Sequence, residues 1–147
     1  MVGLVLVVAL ILAAPTVVAG AAENRPPAPE PMRILESSFR QGRTDRLREL
    51  MTAQEKVYLN SPRLGLDNGY YSADQVCLLL QEIFRSRTTV RFDFLSGMHS
   101  PPGAPRVVAV SRWTYRRSKS REQTIEIAFT LIRRDGGWSL KEIRDIP

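Results

Sequence analysis

Cysteine and histidine are almost missing from this chain, with one of each, Cys77 and His99, in 147 residues. One thiol excludes an intramolecular disulfide, so no cysteine pair holds the fold together. One histidine, one cysteine and scattered carboxylates supply no spaced ligand set, and neither a metal nor a cofactor is expected. A two-histidine catalytic arrangement within one chain is excluded on the same count. A phosphate-binding loop is missing too, because no helix opens after Gly136-Gly137, which reads as a hairpin turn. Charge is absent from the whole of Met1 to Ala22. The apolar run there, followed by Pro15 and the small residues Ala19-Gly20-Ala21-Ala22, reads as an export signal with a small-residue cleavage site. A retained membrane anchor is the alternative, since about 20 apolar residues suffice to span a bilayer and no positive n-region precedes them. Either reading places the rest of the chain outside the cytoplasm, periplasmic or secreted. The position of Cys77 argues against a lipoprotein, which needs its cysteine directly after the signal.

Residues 23–32, ENRPPAPEPM, carry four prolines in ten positions and read as a linker, because proline withholds the backbone donors of a helix or central strand. Residues 33–147 are one domain's length, enough to bury a core without staples. Ile34, Leu35, Ser38 and Phe39 share a helical face that ends at Gly42, and Thr44 is placed to cap a second short helix carrying Leu47, Leu50 and Met51. Glu55 to Asn60 reads as a strand, with a chain reversal at Asn68-Gly69. Ser72 stands three residues before Gln75 in a capping-box spacing, and Ala73, Val76, Leu79, Leu80, Ile83 and Phe84 follow at helical period. Beyond Arg87 the period becomes 2, with Val90, Phe92 and Phe94 expected inward against Arg91 and Asp93 outward. Met98 to Pro105 is a Pro/Gly loop. Three strands follow, Val107 to Tyr115, Thr124 to Ile132 and Trp138 to Ile143, joined by turns at Ser118-Lys119-Ser120 and Asp135-Gly136-Gly137. Helices followed by an antiparallel meander predict an α+β domain with helices packed on one face of a strongly curved sheet.

This order of elements, with the segments FRQGRTDRLRELM, GYYSADQVCLLLQEIF and FTLIRRDGGWSLKEIRDI, resembles the nuclear transport factor 2-like superfamily, a cone-shaped α+β or cystatin-like roll. Within it the chain looks like small exported bacterial proteins of unassigned function, over about residues 32 to 146. Enzymes of that superfamily carry an aspartate base inside the cone with a tyrosine or second acid beside it. The resemblance therefore directs attention to Asp93, Tyr58 and His99 as catalytic candidates for an isomerase or cyclase. The residues themselves argue otherwise: alternation turns Asp93 outward with Arg91, and His99 lies in a surface loop. Tyr58, Tyr70, Tyr71, Trp113, Tyr115 and Trp138 form an aromatic inventory for a cavity holding a small apolar ligand, or for packing. Trp113 and Tyr115 share a strand face, which suits packing or a dimer surface, while Glu126 faces the other way toward an arginine of a neighbouring strand. Cys77, beside the apolar helical stripe, is expected to be a buried structural thiol.

Net charge is +6, and it is confined to residues 106–134, where eight lysines and arginines meet two glutamates. Its centre is Arg112, Arg116, Arg117, Lys119 and Arg121, interleaved with Trp113 and Tyr115. Such a hairpin either binds an anionic envelope component, membrane surface included, or keeps exposed strands from pairing with other chains. An export signal argues against nucleic acid as the physiological partner. The expected function is an exported, non-enzymatic binding or interaction domain, homodimeric through its open sheet face.

Overall fold

The computed structural model describes residues 29–95 and 103–147. The first helix, α1, spans Glu30–Gln41 and begins inside the expected linker. Pro31 explains the difference: in the first helical turn its missing N–H would be unpaired anyway, so a proline that reads as a breaker starts the helix instead. Ile34, Leu35, Ser38 and Phe39 are buried together as their spacing requires. Gly42, at φ 64°, ends the helix in the left-handed conformation. The second expected helix is only a 3-10 turn, Leu47–Leu50. Thr44 serves it through its carbonyl, which accepts from the Leu47 N–H at 3.1 Å, rather than through a side-chain cap.

Strand β1, Val57–Ser61, is followed by a 3-10 turn, Pro62–Leu64, and by β2, Leu66–Tyr71. The chain therefore reverses before Asn68-Gly69, which lie within β2. Gly65, at φ 77°, takes the left-handed position, while the Asn68 side chain accepts from the Tyr58 hydroxyl at 3.0 Å. Helix α2, Ala73–Ser86, has both bonds of the predicted capping box: Gln75 N–H to Ser72 Oγ at 3.3 Å and Ser72 N–H to Gln75 Oε1 at 2.9 Å.

Strands β3 (Thr88–Phe94), β4 (Arg106–Arg116), β5 (Glu122–Arg134) and β6 (Gly137–Ile146) complete a six-stranded sheet ordered β2-β1-β6-β5-β4-β3. The β3–β6 portion is the expected meander. The β1–β6 pair is parallel, setting Leu59 against Ile143. Register shifts at Thr89/Arg91 and Thr130/Leu131 are bulges that bend the strands around the helices. The first overturns the expected inward placement of Val90, which is exposed. Thr89 takes the inner position instead, its hydroxyl donating to the Phe39 carbonyl at 2.6 Å and accepting from Trp113 Nε1 at 2.9 Å. Helix α1 lies along β3, and Arg40 donates to the Phe92 carbonyl at 3.0 and 3.2 Å, so that edge of the sheet is occupied.

Glu55 ties the approach to β1 to the far hairpin, accepting from Lys141, Arg134, Ser139 and Thr52. The hydrogen bond from Lys141, together with the positive charges of Lys141 and Arg134, holds its carboxyl below the usual carboxylate range. Its folded pKa thus lies under its unfolded one, and its stabilisation is complete above about pH 4.3 and lost as pH falls through the lower folded value. Glu55→Gln is therefore expected to lower the urea midpoint near neutral pH, with the gap from wild type closing in acid. A gap independent of pH would contradict this linkage.

Candidate functional site

The space between helices and sheet is filled by aromatic side chains. Phe39 descends from α1 to meet Phe92 at 4.9 Å, Phe84 at 5.1 Å, Trp113 at 5.2 Å and Phe129 at 5.5 Å between ring centroids. Trp113 is 0 % and Tyr115 2 % exposed, so these two form the core and present no surface to a ligand or a second protomer. Tyr58 is on the opposite face of the sheet, its ring 5.0 Å from that of Tyr70. The expected group Tyr58, Trp113 and Tyr115 is thus divided between two sides of the sheet. Period-2 spacing identified the shared face of Trp113 and Tyr115, but the depth to which α1 fills that face is a tertiary property.

The catalytic candidates are also apart. Tyr58 is on β1 and Asp93 on β3, with β6, β5 and β4 between them, a separation of about 19 Å at normal strand spacing. The Asp93 carboxylate bonds to Arg91 and lies 3.6 Å from Arg40, beside an open surface cleft of about 440 Å³. His99 lies outside the described residues. Among those residues no group of three or more histidine, cysteine or acidic side chains is placed to hold a metal ion. Cys77 is half-buried, its Sγ 3.9 Å from the Thr44 carbonyl, and burial pushes its thiol pKa up, which keeps it protonated and unreactive.

The outer face of the sheet is a layered surface. One row across it sets Tyr70, Tyr58, Glu142, Thr130 and Val108 side by side; the next contains Arg144, Ala128 and Val110; a third contains Ile146, Glu126, Arg112 and Asp93. Small or apolar side chains at Thr130, Ala128, Val108 and Val110 stand among ion pairs: Arg112–Glu126 at 2.8 Å, the partner expected for Glu126, and Glu142 with Arg106 and Arg144 at 3.9 Å each. Val108 is 43 % and Tyr70 69 % exposed there.

That pairing also corrects the basic hairpin. Arg112 is matched by Glu126, and Arg116 by Glu122 at 2.6 Å, because the antiparallel register brings acids of β5 opposite arginines of β4. Arg117, Lys119 and Arg121 make no ion pair among the described residues and stand at the β4–β5 tip, where Lys119 and Arg121 line an open cleft of about 600 Å³. Ser118 there has φ 45°, and the turn closes through Ser120 N–H to the Arg117 carbonyl at 2.8 Å.

One residue was not signalled by the sequence. Arg87 ends α2, where an arginine normally reaches water, yet it is 5 % exposed and its guanidinium lies 5.2 Å from the Tyr115 ring. No spacing rule marks a buried arginine.

No family model matches the chain, and no curated protein is similar enough to count as a relative. Solved structures do match. A Catenulispora acidiphila protein with a ketosteroid isomerase-like fold, determined with trimethylamine, has a TM-score of 0.62 at 9% identity, covering 82% of this chain and 87% of its own. A DUF4783 family protein from Bacteroides uniformis gives 0.61 at 9%, covering 77% and 93%. A Nostoc punctiforme domain with a cystatin-like fold gives 0.57 at 6%, covering 78% and 71%. Such identities carry fold alone, and together with the sheet order and helix placement they establish that this protein has the nuclear transport factor 2-like α+β fold.

Proposed function

We propose that the protein is an exported, non-enzymatic interaction domain that pairs with a second copy of itself through the outer face of its sheet. The observation that carries this reading is that face, where the exposed Val108 and Tyr70 stand among interleaved ion pairs, the mixed polar and apolar composition of a non-obligate protein interface. A second copy is the favoured occupant because charge alternates along the Glu126–Arg112–Asp93 row. A two-fold axis crossing the row between Glu126 and Arg112 sets the acid of one copy against the arginine of the other. Filling of the inner space by Phe39, Trp113 and Tyr115 supports a non-enzymatic role, as does the separation of Asp93 from Tyr58. The uncharged stretch Met1 to Ala22 supports export.

Native mass spectrometry of the protein from its own host tests all three parts. A dimer lacking its first residues and carrying no releasable small molecule is expected. A monomer, or a dimer insensitive to changes at Val108, overturns the self-association.

A second reading rests on Arg117, Lys119 and Arg121, left without acidic partners among the described residues. In it the tip docks on anionic lipid headgroups, each cation near the surface contributing about 1 kcal/mol at low salt. Changing the three to serine is expected to abolish salt-sensitive sedimentation with phosphatidylglycerol vesicles. Unchanged sedimentation removes the reading.

A further inference from the structure

We propose that Arg87 anchors a binding site for a carboxylate ligand with a flat apolar body, entered by displacement of the Pro62–Leu64 turn. Arg87 is 5 % exposed, forms no salt bridge with any described residue, and leaves its Nε without a hydrogen-bond acceptor. Burying a guanidinium is costly unless a counter-charge and acceptors replace its water. What it has is weaker: Nη1 donates to Ser86 Oγ at 3.0 Å, and Nη2 to the Leu64 carbonyl at a long 3.4 Å. The Tyr115 ring and the C-terminal end of α2 add only partial negative charge.

A second orphan lies at the other end of the same turn. Ser61, the residue preceding Pro62–Leu64, is fully buried, and its Oγ has no partner. The turn thus has a buried unsatisfied hydroxyl at its start and a buried, under-bonded guanidinium against its last carbonyl. It is also short, three residues closed by Gly65 N–H to the Pro62 carbonyl at 2.9 Å, with Arg63 N–H donating to Asp145 at 3.0 Å and the Leu64 side chain buried.

A carboxylate meets what the site lacks. Its two oxygens match the guanidinium fork, taking the free Nε–H and the Nη2–H now spent on Leu64. Ser61 Oγ supplies a further donor, and the apolar space that the buried Leu64 side chain leaves when the turn moves takes the rest of the molecule. This site is distinct from the outer face and from the basic tip.

Benzoate is the probe, with benzamide as its uncharged counterpart, titrated against the full-length protein while the melting temperature is followed. Benzoate is expected to raise it by about 5 °C at roughly ten times its dissociation constant and to keep raising it with the logarithm of concentration, and benzamide to leave it unchanged. Arg87→Met is expected to abolish the response while melting no lower than wild type, since it removes an unpaired buried charge. Ser61→Ala is expected to weaken benzoate binding about fivefold. Serine at Arg117, Lys119 and Arg121 together is expected to leave the response intact. No benzoate response in the wild type, an equal response to benzamide, or loss of the response in the tip variant overturns the proposal. So does a response retained by Arg87→Met or, should that variant not fold, undiminished in Ser61→Ala.

Discussion

Replacing Phe39 by alanine is expected to cost about 3–5 kcal/mol, a large part of the total stability of a domain this size. Phe39 is fully buried and touches four other rings, from α2, β3, β4 and β5, so its removal opens a cavity against every layer at once. The neighbours have little freedom to collapse into it, because Trp113 is fixed through its Nε1–H to Thr89 and Thr89 to the Phe39 carbonyl. Urea unfolding followed by tryptophan fluorescence measures the loss. Leu78→Ala, on the exposed side of α2, is expected to change stability by less than about 0.5 kcal/mol. Equal effects of the two changes would mean that the core is not centred on α1.

Val108→Glu is expected to separate the two copies of the protein while leaving each copy folded. Val108 is exposed in the single chain, so a carboxylate there costs the monomer little. In a paired face the same carboxylate is buried without a partner, which weakens association about 100-fold or more. Sedimentation equilibrium reads the change directly. A charge exchange gives a sharper version: Glu126→Arg alone places two arginines opposite each other on β4 and β5, whereas adding Arg112→Glu restores the pair with reversed sign. The double variant is expected to regain the association that the single one loses. Association unaffected by either would place the contact elsewhere.

Local signals carried the reading of the elements well wherever the chain alone determines geometry. The Ser72/Gln75 box, the Gly42 stop and the alternation of Val107 to Tyr115 all depend on near neighbours, and they appear in the structure as written in the sequence. What escaped depends on distant partners. Val90 looks like an inner residue until the Thr89 hydroxyl, held by Phe39 and Trp113, shifts the register by one. Asn68-Gly69 looks like a turn until Gly65 completes the reversal before it. Pro31 looks like linker because the rule against proline relaxes only in a helix's first turn. The candidate site was less legible. Arg112 and Arg116 are uncompensated along the chain but face Glu126 and Glu122 across a hairpin, and Tyr58 shares composition but not a face with Trp113. Arg87 carried no signal, since an arginine after a helix is ordinarily solvated.

The parallel pairing of β1 with β6 governs when this molecule can finish folding. Leu59 waits for Ile143, more than half the chain away, so the hairpin of β1 and β2 has no neighbour on its inner side until the last strand has been made. A nascent chain on the ribosome therefore cannot close the sheet, and such non-local closure is slow. Until β6 joins it, the β1–β2 hairpin offers an unpaired edge to any other chain nearby, an exposure that follows from the sheet order alone.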